Sequence, residues 1–325
     1  MKRSSRNWLV AAAVLIVLGM IFFGMVFALT GCEKLRPEPL VTNTCSPEGE
    51  FDKLSFDIDI SDLELVLSED GSFSVECYES ESAKHEVAVS DGTLTVKMKE
   101  DELKWYDKIF AASRWLTEKP KVTVRLPKAE FSELTIESDT GKITVPDGFT
   151  FGKVQITDDT GAVKIGAVKA NEMSVSIDTG AASLTGTEAE RLKVKADTGS
   201  IKLTGVKAGP LDVTNDTGAI VLENVECASL NAECDTGAIK LVNVNAEGEM
   251  TVENDTGSII FENCRAASIE ATADTGSIKG TLACEMVFDA RSSTGSVKVP
   301  DSTSGGPCRL RTTTGSIKIE YAAHE

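Results

Sequence analysis

The tripeptide Asp-Thr-Gly begins at Asp139, Asp159, Asp178, Asp197, Asp216, Asp235, Asp255 and Asp274. Asp-Thr-Gly is the aspartic-protease triplet, and that chemistry needs two carboxylates sharing one site and one proton. Eight evenly spaced copies are instead a motif marking the same corner again and again. Carboxylates are also hard oxygen ligands, so the column is a candidate row of calcium sites, although one Asp per copy supplies few ligands per ion. Stacked ~4.8 Å apart, neighbouring charges repel by about 1 kcal/mol in water and about 3.5 kcal/mol at an effective dielectric of 20. The local alternative is that each carboxylate accepts backbone N–H bonds at its own corner, helped by the threonine hydroxyl. Ser293-Thr-Gly and Thr313-Thr-Gly keep the motif without the charge, which favours the local reading.

Other chemistry is thinly supplied. There are only two histidines, His85 and His324, which argues against His-dependent hydrolases and against zinc sites built on several imidazoles. Apart from Cys32, seven cysteines remain, Cys45, Cys77, Cys227, Cys234, Cys264, Cys284 and Cys308, and no spacing among them matches a zinc motif. Cys234, Cys264 and Cys308 fall on inward repeat positions and read as small buried hydrophobes; a Cys45–Cys77 disulfide is an open alternative. A lyase-type site would need carboxylates and bases interrupting the repeat on one face, and the sequence shows no such cluster. The net charge is −18, from 33 Lys+Arg against 51 Asp+Glu, which disfavours nucleic acid as a partner.

The motif is spaced by 19 or 20 residues throughout its ten copies. Four and six residues after the Asp position stand apolar residues, as in Ile201 and Leu203 or Ile239 and Leu241, with lysine often between them: Lys164, Lys202, Lys240, Lys279, Lys298 and Lys318. That is a short strand with one inward face, and a second alternating stretch follows, such as Leu211-Asp-Val213. One copy is too small to bury a core, whereas stacked copies pair their backbones and align their apolar residues. The expectation is an all-β, right-handed β-solenoid of ~19-residue coils with two or three short strands each. The Asp-Thr-Gly glycine is expected in the left-handed conformation, and Asn224, Asn243 and Asn263 mark a second corner with an asparagine ladder. The lysine column reads as a solvated face, with docking of an acidic polymer as the functional alternative. Residues 316–321 would form an exposed last strand, capped by the tail or by another subunit.

Upstream, Leu54-Ser-Phe56-Asp-Ile58-Asp59 aligns with Leu134-Thr-Ile136-Glu-Ser138-Asp139, a degenerate first coil. Hairpin-like stretches follow at residues 73–78 and 85–98, turning at Asp91-Gly92. Residues 104–119 break the repeat with Trp105, Tyr106, Phe110 and Trp115; Trp105, Ile109, Ala112 and Leu116 fall at helical spacing, giving a cap or a partner- or membrane-contacting patch. Residues 8–30 are mostly apolar and follow Lys2, Arg3 and Arg6. As a helix this run would cross a membrane with its N-terminus cytoplasmic and the bulk of the chain outside. Leu29-Thr30-Gly31-Cys32 looks like a lipobox, which would make Cys32 a lipidation site. The expected organisation is therefore residues 1–32 as anchor or lipoprotein signal, 33–50 as a Pro-containing tether, 51–130 as the degenerate coil with inserted hairpins and cap, and 131–325 as the repeat solenoid.

The anchor and the Asp/Ser-Thr-Gly repeats resemble a bacterial family of unknown function usually labelled "putative adhesin". The resemblance covers nearly the whole chain. It implies a β-helix and a transmembrane rather than lipid anchor, with no catalytic residues to carry over. Two functions follow as expectations. One is a non-enzymatic, membrane-anchored surface module that binds a cell-wall polymer or another envelope protein. The other is an accessory or sensor of the envelope-stress response, working through a membrane partner. No cofactor is expected beyond calcium on the aspartate column.

Overall fold

The structure, a computed structural model, describes residues 39–80, 84–99 and 119–322, together with Gly19, Phe22 and Met25. The chain divides into two compact units, one of residues 1–40 with 100–119 and one of residues 41–99 with 120–325. The second unit holds 24 strands joined in a single sheet. It is an all-β solenoid, as the repeat requires. The anchor run, Cys32 and the aromatic residues Trp105, Tyr106, Phe110 and Trp115 lie outside the described residues, apart from Gly19, Phe22 and Met25, which are helical. No helix among the described residues is long and apolar enough to cross a membrane.

The coils stack in parallel with strict register. Leu134 lies beside Val154, Val154 beside Met173, Met173 beside Leu192 and Leu192 beside Leu211. Ile143, Val163, Ala182, Ile201 and Ile220 form a second inward column, each residue at most 1% exposed. Period-two alternation thus gives continuous apolar columns, each coil burying its neighbour's. In the early coils one strand runs through the Asp-Thr-Gly corner instead of stopping at it: Glu130–Val145 is continuous. From Lys207–Thr217 onward the strand ends at the threonine. At the start of the stack, Phe51, Phe131 and Phe151 pack ring on ring, with centroids 6.5 and 5.9 Å apart.

Positive φ occurs at both corners. The tighter left-handed turn is at the second corner, where Gly186, Gly205, Asn224, Asn243 and Asn263 have φ of 66, 64, 55, 51 and 55°. The asparagine ladder is present: Asn243 Nδ2 donates to Asn224 Oδ1 and Asn263 Nδ2 to Asn243 Oδ1, both at 2.9 Å. At the Asp-Thr-Gly corner Gly218 has φ 138°, an extended conformation open only to glycine. Close approach is the stronger requirement there. A Cβ on Gly218 would sit 1.6 Å from the Gly199 carbonyl oxygen, and the equivalent distance is 1.6–2.0 Å from Gly161 through Gly315. Each glycine carbonyl aims at the next coil's glycine, and several take a donor from inside. Asn215 and Asn254 Nδ2, Thr312 Oγ1 and Ser292 Oγ, all just before the motif, donate to the carbonyls of Gly199, Gly237, Gly276 and Gly315.

Both ends of the stack depart from chain order. Lys53–Asp57 pairs with Glu130–Val145 on one side and with Thr93–Met98 on the other. Asp62–Ser68 pairs with Lys121–Pro127. The register Leu54↔Leu134 and Phe56↔Ile136 is the one read from the sequence. Thr93–Met98 and Lys121–Pro127 therefore make an outer coil, which the chain builds before crossing back to Glu130. The hairpin of His85–Ser90 with Thr93–Met98 turns at Asp91 and Gly92, whose φ values of 51 and 73° suit the tight primed turn. Val41–Cys45, inside the stretch read as a tether, is a strand antiparallel to Ser74–Glu79.

At the far end Ser268–Thr275 and Ile278–Leu282 pair with Gly306–Thr314 and Ile317–Tyr321. Those two strands pair in turn with Met286–Ser292 and Val297–Lys298. The last coil in sequence is thus the penultimate coil in space. The expectation that residues 316–321 form the open end is corrected: the end is residues 286–298, where Val287 and Val297 are each 42% exposed.

Two outcomes test this architecture. Gly218→Ala should destabilise by about 3 kcal/mol or more, from forced overlap and a strained φ, read as a lower urea midpoint. Gly248→Ala, with no positive φ and its nearest atom at 3.0 Å, should cost far less. Deleting residues 302–325 should open Arg291 and Lys298 to trypsin in limited proteolysis while the coils before residue 265 stay protected; unchanged cleavage would contradict the intercalated last coil.

Candidate functional site

The aspartate row lies on the outside. Asp139, Asp159, Asp178, Asp235, Asp255 and Asp274 are exposed, and Asp197 and Asp216 are partly so. The expected caps are not formed. Of the eight carboxylates only Asp197 has a hydrogen-bonding partner, Lys195 Nζ at 2.7 Å, although Asp178 and Asp216 also act on that lysine's charge. The row therefore stands as a line of hydrated charges.

Half of the lysine row, Lys202, Lys240 and Lys318, is ion-paired with its own surface. Lys202 pairs with Glu223 at 3.0 Å and Lys240 with Glu262 at 2.9 Å, each reaching one coil along. Solvent screening keeps each such pair to a few tenths of a kcal/mol. A groove on the outer surface runs over Lys169, Ala170, Glu188, Ala189, Lys207 and Ala208. It is open and lacks converging reactive groups.

A polar cluster does form where the repeat is broken, in the interior rather than on an outer face. Val75, Cys77 and Glu79 are the inward residues of Ser74–Glu79. Glu79 Oε2 accepts the backbone N–H of His85 at 2.6 Å and faces its Nδ1 at 2.9 Å. Asn43 Nδ2 donates to Glu79 Oε1 at 2.7 Å, from the neighbouring strand. On the other side of the ring, Nε2 lies 3.0 Å from Ser61 Oγ. Ser61 stands in the first coil where later coils have their glycine, since its carbonyl is what a Cβ on Gly141 would meet.

Burial pushes the His85 pKa below its ordinary value, against the opposing pull of the Glu79 hydrogen bond and charge. In its neutral form a ring that donates Nδ1–H to Glu79 has Nε2 left to accept the Ser61 hydroxyl proton. Serine, imidazole and carboxylate in this order form a general-base relay. Here it is sealed: Ser61 and the His85 side chain are 0% exposed and the Glu79 side chain 6%, so the nucleophile meets no substrate. Cys77 completes the cluster. It offers a donor atom within 4.8 Å of donors on Glu79 and His85, the one such group of three among the described residues.

The seven cysteines among the described residues are free thiols. Cys45 stands opposite Val75 and Cys77 opposite Asn43, and the two are not bonded. Cys234, Cys264 and Cys308 are at most 3% exposed, on the inward positions expected of them.

The fold and these sites define a β-solenoid repeat protein with a sealed interior and ordered outer rows. Residues 51–320 match the Toastrack DUF4097 family, and the chain belongs to that family. This agrees with the resemblance to "putative adhesin" proteins. Similar solved structures include a "putative adhesin" from Bacteroides fragilis, 17% identical over 88% of this chain and 99% of that one, TM-score 0.38. Another "putative adhesin", from Parabacteroides distasonis, is 12% identical over 86% and 97%, TM-score 0.46. A protein described as a "putative lipid binding protein", also from Parabacteroides distasonis, is 14% identical over 86% and 97%, TM-score 0.39. No curated protein matches the chain.

Burial raises the Cys77, Cys227 and Cys308 pKa values to about 12 and those of Cys234 and Cys264 to about 11. A thiol alkylating agent at pH 8 should therefore modify exposed Cys45 and half-buried Cys284 well before these five, as mapped by peptide mass spectrometry.

Proposed function

We propose that this chain is a non-enzymatic binding module, held at a bacterial cell membrane by residues 8–30 with its right-handed coils on the outer side. The observation that carries the reading is the division between inside and outside. The coils spend their apolar groups on one another and leave outward rows of aspartate, lysine and glutamate repeating at the coil spacing. A surface periodic along one axis suits a periodic ligand, and a cell-wall polymer or another envelope protein is the partner class. Support for the anchor comes from the uncharged apolar run behind Lys2, Arg3 and Arg6 and from the exposure of Phe22 and Met25, 69% and 61%. Support for a non-enzymatic role comes from the burial of the only serine–histidine–carboxylate set among the described residues. Calcium enters this reading as an ion bridging the aspartate row to an anionic polymer.

The test is co-sedimentation of the full-length chain, in detergent micelles, with purified cell walls of the source bacterium, in calcium and in chelator. Saturable binding is expected, and its loss in chelator would assign the aspartate row to the contact. Absence of binding in both conditions would overturn the reading in favour of a sensor or accessory acting through a membrane partner.

A further inference from the structure

The polar cluster at the start of the solenoid has the donor set of a metal centre. Cys77, Glu79 and His85 bring together a thiol, a carboxylate and an imidazole, with one donor atom from each within 4.8 Å of the others. The three arise from a single inward alternation, Cys77 and Glu79, and from the first residue of the following strand. From these residues we infer that Cys77, Glu79 and His85 form a zinc site, with three protein ligands and a fourth position for water.

Three physical features favour this assignment. The first is orientation by outer partners. His85 Nε2 is held by Ser61 Oγ at 3.0 Å and Glu79 Oε1 by Asn43 Nδ2 at 2.7 Å. The far atoms of both ligands are thereby fixed, and Nδ1 and Oε2 face each other at 2.9 Å. Metal-bound histidines and carboxylates are oriented in this way by hydrogen bonds to the atom not on the metal. The second is charge: a dication with one thiolate and one carboxylate makes a neutral set, which suits burial. The third is ligand type. Sulfur and imidazole nitrogen beside one carboxylate suit zinc, whereas calcium and magnesium call for oxygen alone.

Zinc uptake releases the Cys77 thiol proton to solvent and moves the imidazole proton from Nδ1 to Nε2, where it is donated to Ser61 Oγ. The site would tie Ser74–Glu79 to the hairpin that begins at His85, and through Ser61 to the first coil.

The experiment uses the full-length, reduced, metal-free chain in detergent micelles, titrated with zinc against a chromophoric chelator and separately with cobalt(II). One equivalent of zinc should bind. Cobalt should give a thiolate-to-metal charge-transfer band and tetrahedral ligand-field absorption. Cys77→Ser with His85→Ala should abolish uptake, and Cys284→Ser should leave it unchanged. Ser61→Ala retains all three ligands and should weaken binding about 10- to 100-fold. The cobalt spectrum of the unmodified chain keeps the inference testable if the double variant does not fold. No stoichiometric uptake, uptake undiminished in the double variant, or cobalt bound without a sulfur band would each overturn it.

Discussion

The solenoid depends on how closely two backbones approach at one corner. Along the Asp-Thr-Gly row a carbonyl oxygen of one coil occupies the space a Cβ of the next would need, at 1.6–2.0 Å from Gly161 to Gly315. Glycine is therefore a steric condition for stacking, and it recurs in all ten copies although aspartate is replaced in two. Locking the coils at this row fixes register elsewhere, because side chains alternate with period two and a slip of one residue would turn every inward column outward. The interior donors ahead of the motif follow from the same approach. A carbonyl aimed at a neighbouring Cα lacks a ladder partner, and Asn215, Asn254, Thr312 and Ser292 supply one.

Much of this was legible in the sequence. The columns follow from alternation, and the pairing of Leu54 with Leu134 and of Phe56 with Ile136 follows from the degenerate first copy. The asparagine ladder could be read because three asparagines recur at one position. What could not be read is non-local. Nothing in residues 302–321 says that they slip between two earlier coils, because every copy carries the same pairing code and any order of stacking satisfies it. The reason for the glycine was only half legible, on related grounds. Composition shows that glycine is needed, without showing whether φ or a neighbour's oxygen imposes it.

The Ser61–His85–Glu79–Cys77 cluster was hidden in the same way. Its members come from a degraded repeat, an inserted strand and the start of a hairpin, and each looks ordinary alone: Ser61 replaces a glycine, Cys77 and Glu79 alternate with exposed residues, and His85 is one of two histidines. The middle of the solenoid holds apolar columns with scattered single hydrogen bonds, whereas this first end carries a connected polar network. That contrast matches the energetics of a stack, whose inner coils have neighbours on both sides while end coils must be secured by other means.

The intercalated last coil also has a consequence for biogenesis. From Glu130 onward, a chain synthesised from its N-terminus could stack each coil on the one before, up to the pair Ser268–Thr275 and Ile278–Leu282. The next coil, Met286–Ser292 with Val297–Lys298, finds its native neighbour only after residues 306–321 have been made. Native closure of the stack therefore waits for the synthesis of residues 306–321. Until then the edge of Ser268–Thr275 and Ile278–Leu282 stays unpaired and open to the wrong coil, since residues 286–298 carry the same pairing code.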